Sequence, residues 1–343
     1  MKNRRLPKSC VRRLNRNRQG DIREWRFCDC TLSGFLAFRV ESTFNLKSEQ
    51  WELRGRMEQV KQVKALQYIR KLRGGSQPIL VRANDGHVYV VKFRNNLQGP
   101  NLPFNEAMGT ELFRVAGFNV PKWRLVEVSD DFIDRNPSCW METECGWRRP
   151  ASGLCFGSEF LSLRSNSIFE ILPEQRFSRI RNRRDFLKAW VFDVLSEHAD
   201  NRQAVFLERY HSLDAYFIDH GHLFGGANGT VTPKLLVSRF LDPRIYCEPD
   251  RNDADVIERM VRHLDLTALA KVSRNLPDEW RTPAALARYD RFVDRLSDPL
   301  LLRMTVRFIL DSVEPARKDY GGCAQSSRIR HRRQDLYAQI LQA

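Results

Sequence analysis

Apolar positions along the chain fall into stretches of different period, and the clearest lie between residues 182 and 221. Leu187, Trp190, Val191, Val194 and Leu195 recur at steps of three and four, one stripe of an amphipathic helix. The stripe stops at His198-Ala199-Asp200-Asn201-Arg202-Gln203, a polar sequence that a buried helix cannot continue. Two short apolar runs follow, Ala204 to Leu207 and Ala215 to Ile218, and the polar link between them reads as a hairpin. The second run ends on Asp219-His220-Gly221. The pattern therefore sets one carboxylate, Asp200, on the loop after a helix and another, Asp219, just past a strand end. Turns and caps hold aspartates in such places for purely structural reasons as well.

Upstream, apolar residues between Val60 and Leu72 recur every three or four positions and predict a short amphipathic helix ending at Gly74-Gly75. Ile79–Ala83 and His87–Phe93 read as strands around a tight turn at Asn84-Asp85-Gly86. Lys92 alternates with Val88 and Val90 and so shares their face, where a lysine needs an anionic partner: a phosphate, a carboxylate, or both. Asn105 suits the N-cap of a helix running to Ala116, with Glu106 in its first turn and Gly117 as C-cap. Leu125 to Val128 extends the sheet, residues 129 to 155 read as irregular, and Phe224 to Pro233 as a glycine-rich mobile loop. From 253 to 315 the apolar spacing is helical, with Val256, Met260 and Leu264 on one stripe and Leu300, Leu301, Met304, Phe308 and Ile309 on another.

Composition bounds this picture. A chain of 343 residues, 42% hydrophobic and 29% charged, is long enough for two lobes with a sizeable core. No run approaches the roughly 20 apolar residues of a membrane span, and the N-terminus lacks an apolar signal core, so a cytoplasmic location is expected. The net charge of +15 sits mostly at the ends, with ten Lys/Arg against two acids in residues 1–27 and six against two in 316–343. Residues 1–56 and 316–343 are read as basic extensions, the latter with a short helix at Leu336 to Leu341. The near-neutral middle argues against a nucleic-acid-binding body and leaves non-specific contact through the arms. The eight cysteines form no paired CxxC sets, so free thiols are expected.

Taken in order, Gly74-Gly75-Ser76-Gln77-Pro78, Val91-Lys92-Phe93, Asn105-Glu106, Phe156-Gly157-Ser158, His198-Ala199-Asp200-Asn201-Arg202-Gln203 and Ile218-Asp219-His220-Gly221 resemble the HipA-like kinase family. These are bacterial proteins more remotely similar to phosphoinositide kinases, and the resemblance runs over residues 57–315. It implies an α+β, bilobal protein-kinase-like fold, with a small antiparallel β-rich N-lobe at 57–160 and a mostly helical C-lobe at 161–315. It also implies phosphoryl transfer from ATP, with Mg²⁺, to a Ser/Thr hydroxyl on a protein.

Carried onto matching positions, the loop of Gly74, Gly75, Ser76 and Gln77 would cover the phosphates. Lys92 would hold them with Glu106 as its ion-pair partner. The segment Phe156 to Leu161, Glu159 included, would be the hinge beside the adenine. Asp200 would orient the acceptor hydroxyl, Asp219 would bind Mg²⁺, and Arg202 would neutralise charge on the transferred group. Two departures stand out. The metal-binding Asn expected five residues after Asp200 is Val205, which leaves Gln203, or less well Asn201, as the substitute amide, and admits a nucleotide-binding pseudokinase. The additional N-terminal subdomain of the toxin kinases is not evident, so a toxin role is not implied. Asp193 and His198 are read as braces of the catalytic loop, Trp190 as core, and His220 and His222 as packing residues, since Mg²⁺ prefers oxygen ligands.

Overall fold

Residues 61–161, 167–229 and 238–313 are described by the computed structural model of the chain. The first element departs from the sequence pattern. Where a helix was expected, β1 runs from Gln62 to Lys71 as a ten-residue strand. Its pairing with β2 (Ile79–Ala83) shifts register between Ala65 and Gln67 and again between Tyr68 and Arg70. Each shift breaks the alternation of faces. Val63, Ala65 and Tyr68 join the interior while Leu66 and Ile69 stay outside. Apolar residues on both faces of a bulged strand imitate the three-and-four spacing of a helix.

After β3 (Val88–Lys92) come α1 (Leu102–Val115), β4 (Trp123–Val128), α2 (Asp130–Arg135), the small hairpin β5 (Met141–Thr143) and β6 (Gly146–Arg148), and β7 (Gly153–Glu159). The stretch 129–155 is thus more regular than its sequence suggests. Strands β1-β2-β3-β7-β4 form a closed barrel. Closure comes from a parallel pairing of β4 with β1 at Gln62–Lys64, and the other pairings of the barrel are antiparallel. Ile79, Val81, Tyr89, Val91, Phe93, Val126 and Val128 fill the barrel. Val88 and Val90 alternate out of it, and Lys92 goes with them. Lys92 is tolerated because its face lies outside the barrel and meets the next layer.

That layer is built on α1, whose residues from Leu102 to Phe113 are all buried. Asn101 is the N-cap and Pro103 lies in the first turn, so Asn105 sits one turn inside the helix and not at its cap as expected. Phe104, Met108, Leu112 and Phe113 belong to the same core as the second half of the chain. There β8 (Ile168–Phe169), α3 (Asp185–Leu195), β9 (Gln203–Arg209) and β10 (Ser212–Ile218) precede the helices α4 (Asp253–Arg262), α5 (Leu266–Asn275), α6 (Pro283–Ser297) and α7 (Pro299–Ser312). The expected helix and hairpin of the central segment are α3 and β9–β10, with Gln203 paired to Ile218. Trp190 is core, whereas Val256 is 41% exposed and Ile257 and Val261 take the inward places on α4. The fold is α+β. The expectations for residues 1–56, for 230–233 of the glycine-rich loop and for the tail from 316 lie outside the described residues.

Candidate active site

Three elements distant in sequence meet at one ammonium group. Lys92 at the end of β3 pairs with Glu106 of α1 and, at 2.8 Å, with Asp219 just beyond β10. Burial alone would lower the lysine pKa, but Asp219 and then Glu106 outweigh it and hold the value above the usual one. Burial alone would raise Asp219, yet the Lys92 charge keeps it below the usual carboxylate range. Glu106 is raised by burial, which Lys92 offsets only in part. The cluster thus carries one more carboxylate than it has cations. Asp219 is the member with access to solvent, its side chain 24% exposed against 2% for Glu106. Its φ of +57° is in the left-handed region, which a short Asp tolerates better than most residues.

The chain after Asp219 is fastened to α1. His220 donates its backbone N–H to Glu106 Oε2 at 3.1 Å, and Asn105 Nδ2 donates to the carbonyls of Gly221 and Leu223 at 2.9 and 2.8 Å. A Cβ at Gly221 would stand 2.9 Å from Glu106 Oε1, so this close approach needs glycine. Asn105 was read from the sequence as a cap. The signal missed is a polar amide beside the ion-pair glutamate, one turn inside a buried helix.

Asp200 is half-buried on the loop between α3 and β9, and its Oδ1 accepts the Asn201 N–H at 2.7 Å. Ala199 N–H donates to the His222 carbonyl at 2.9 Å, which ties this loop to the Asp219 loop. Gln203 is exposed at the first position of β9, its backbone opposite Ile218 and so beside Asp219. Val205 sits within the same strand opposite Tyr216.

Arg202 turns inward. It is 2% exposed and pairs through two nitrogens with buried Asp193 of α3. It also donates to the Ile218 carbonyl at 3.3 Å and to His220 Nδ1 at 3.2 Å, and its guanidinium lies 4.7 Å from the centre of the Phe113 ring. The expected neutralisation of a transferred phosphoryl group is corrected to a buried hub. This hub joins α3, the start of β9, the end of β10 and α1, and it occupies all three nitrogens of the Arg202 guanidinium. The bracing role read for Asp193 rests on this pair. His198 is corrected in turn: it is buried 3.8 Å from Asp193, and neither ring nitrogen has a hydrogen-bond partner among the described residues.

Burial, with Arg202 beside them, holds His198 and His220 well below the ordinary histidine range. Both are neutral in the folded chain and take protons on unfolding below about pH 6.5. The folded state then binds fewer protons, so stability is complete above the unfolded pKa and is lost as pH falls through it. Between pH 7.5 and 5.5 the two groups are expected to remove about 2–3 kcal/mol. Thermal melts across that window check this, and a flat profile would refute it.

The turn between β1 and β2 is braced from two sides. Ser76 is buried and its carbonyl accepts from Asn96 Nδ2 at 2.8 Å. The Gln77 side chain exchanges two hydrogen bonds, 2.7 and 2.8 Å, with the backbone of Glu142 in the β5–β6 hairpin. The Gln77 side chain therefore fixes the loop to the β5–β6 hairpin. Gly74 and Gly75 supply the open backbone, Gly74 at φ +129°.

A cavity of about 440 Å³ lies on the outer face of the barrel, lined by Ile69, Leu80, Val88, Glu159 and Phe160 with exposed Arg82 and His87. Val88 is four residues before Lys92, about 13 Å along the strand, and shares its face. The amides of Glu159 and Phe160 already donate to the carbonyls of Lys122 and Val88, and the Glu159 side chain meets His87 at 3.1 Å. Both amides of the expected hinge are thus already spent within the barrel.

Among the described residues no three His, Cys, Asp or Glu side chains converge as a ready-made metal cage. Asp219, Gln203 and Asp200 offer hard oxygen donors, which suits an ion that keeps waters and shares phosphate oxygens, as Mg²⁺ does. No helix among the described residues is long and apolar enough to cross a membrane.

No protein-family model matches the chain, and no curated protein matches it. Among solved structures, it is similar to the Helicobacter pylori proinflammatory kinase CtkA at 12% identity and a TM-score of 0.44, over 67% of this chain and 90% of that one. It is also similar to the Golgi casein kinase at 13% identity and a TM-score of 0.40, over 81% of this chain and 78% of the other. A third likeness is to hydra Fam20 with sugar, at 12% identity and a TM-score of 0.40, over 79% and 90%.

Proposed function

We propose that the chain is an ATP-dependent phosphotransferase of the HipA-like kinase type, acting on a Ser/Thr hydroxyl of a protein. The observation that carries this reading is the Lys92–Glu106–Asp219 cluster, where β3, α1 and the chain beyond β10 meet. A buried lysine between two carboxylates is costly to build for structure alone, whereas a kinase site needs that trio.

Lys92 has three N–H donors, two of them spent on Glu106 and Asp219, and the third is available to a phosphate oxygen. The backbone of Gly74 and Gly75 covers the phosphates, and Leu80, Val88 and Ile69 form the apolar seat for the base. Asp200 keeps one oxygen on the Asn201 amide and uses the other to accept the proton of the acceptor hydroxyl. Mg²⁺, held by Asp219 with Gln203 in place of the usual asparagine, would neutralise charge on the β- and γ-phosphates.

Val205 supports a second reading, a nucleotide-binding pseudokinase. It occupies the expected ligand position, yet it is an apolar residue held in the ladder of β9. Calorimetric titration of ATP with Mg²⁺ into the wild type and into Asp219→Ala, with phosphate release followed in parallel, separates the two. The kinase reading expects turnover in the wild type, with metal-dependent binding lost in the variant. Binding without turnover or self-labelling moves the assignment to the pseudokinase, and no binding in the wild type ends both.

A further inference from the structure

Asn105 is 1% exposed and spends both hydrogens of its side-chain amide on Gly221 and Leu223, the carbonyls immediately beyond Asp219. Its neighbour Glu106 takes the N–H of His220 from the same stretch. Two adjacent residues of α1 thus fix three backbone groups within four residues after Asp219. The approach is close enough that a Cβ at Gly109, one turn along α1, would lie 2.5 Å from both the His220 Cβ and a Leu223 methyl. On the loop's other side, Arg202 holds the Ile218 carbonyl. The Asp219 carboxylate itself is held by Lys92 and by a side-chain hydrogen bond with Glu106, both on the side of β3 and α1. Where those two contacts meet it is set by the backbone at 218–223.

We propose that Asn105 is a positioning residue: it sets the backbone on which Asp219 presents its carboxylate to a divalent cation. This rests on the phosphotransferase reading and assigns α1 a second task beside its ion pair with Lys92. The side chain touches neither nucleotide nor metal. It acts by satisfying two carbonyls that would otherwise turn toward other donors and rotate the Asp219 peptide with them.

Full-length wild type, Asn105→Ala and Asn105→Ser are titrated with a non-hydrolysable ATP analogue, with and without Mn²⁺. Bound Mn²⁺ is counted by electron paramagnetic resonance. The expected result is metal-free analogue affinity within about twofold of wild type, with the Mn²⁺ concentration for half-saturation raised about 10–100-fold. Serine, which retains a hydroxyl donor, should fall between alanine and wild type. An equal loss of affinity with and without Mn²⁺ would overturn the proposal, since a general collapse of the site does that. So would an unchanged Mn²⁺ requirement, or the failure of both variants to give a cooperative melt, which would make Asn105 part of the folding core alone. A wild type that binds no analogue at any Mn²⁺ concentration would instead count against the phosphotransferase reading itself.

Discussion

Lys92→Met is expected to lower stability by about 3–5 kcal/mol at neutral pH, the range for breaking a buried charge pair. Methionine nearly matches the lysine stem in volume, so the loss is electrostatic. Glu106, 2% exposed, and Asp219 would face each other without a cation. The variant answers by taking up a proton, because carboxylates raised above their unfolded pKa values favour the folded state at low pH and cost stability as pH rises through the folded value. In the wild type the sign for Asp219 is opposite: its lowered pKa contributes stability above the unfolded value, about 3.9, that is lost only as pH falls below it. The gap between variant and wild type should therefore narrow from pH 7.5 to pH 5, the more so because Lys92 is one of the charges that hold His220 down. Adding Glu106→Gln to Lys92→Met should recover at least half of the loss. If transfer occurs, losing the lysine contact costs about 10²–10³ in kcat. Chemical denaturation at the two pH values measures the main claim, and a gap that is absent or independent of pH would refute it.

Arg202→Leu carries an effect of similar size for a different reason. It leaves Asp193, whose side chain is fully buried, without its partner, and removes the guanidinium from the Phe113 face and from the Ile218 carbonyl. About 3–5 kcal/mol is expected. Because burial already pushes the Asp193 carboxyl up and Arg202 is what opposes it, the unpaired acid is driven further toward its neutral form. The double variant Asp193→Leu/Arg202→Leu is expected to regain most of the stability, since apolar residues of similar volume often replace a buried pair without loss. A single variant with an unchanged melt but lost phosphate release would restore the reading of Arg202 as a partner of the transferred group.

The difference between these two residues shows how far the sequence reaches. For Lys92 the strand alternation with Val88 and Val90 states the question, a charge on an apolar face, and the answer needs only a carboxylate nearby. For Arg202 the sequence offers a guanidinium two residues from Asp200 and nothing on its direction. That direction is set by Asp193, nine residues back on another element, and by Phe113 far upstream. Gln77 is a similar case, since its partner is the backbone of a hairpin 65 residues away.

Periodicity determined α3, the β9–β10 hairpin and the β2–β3 pair, because in each the apolar spacing is local and uninterrupted. It also set Asp200 and Asp219 at the ends of those elements. Only the tertiary structure decided that residues 62–71 form a strand, because two bulges displaced the alternation and pairing with β2 and β4 outweighed the local pattern. The same holds for the burial of all but the last two residues of α1 and for the conversion of Asn105 from cap to clamp. Hydrogen bonds between segments more than 100 residues apart leave no period in the sequence, and it is these that bring Lys92, Glu106 and Asp219 to one point.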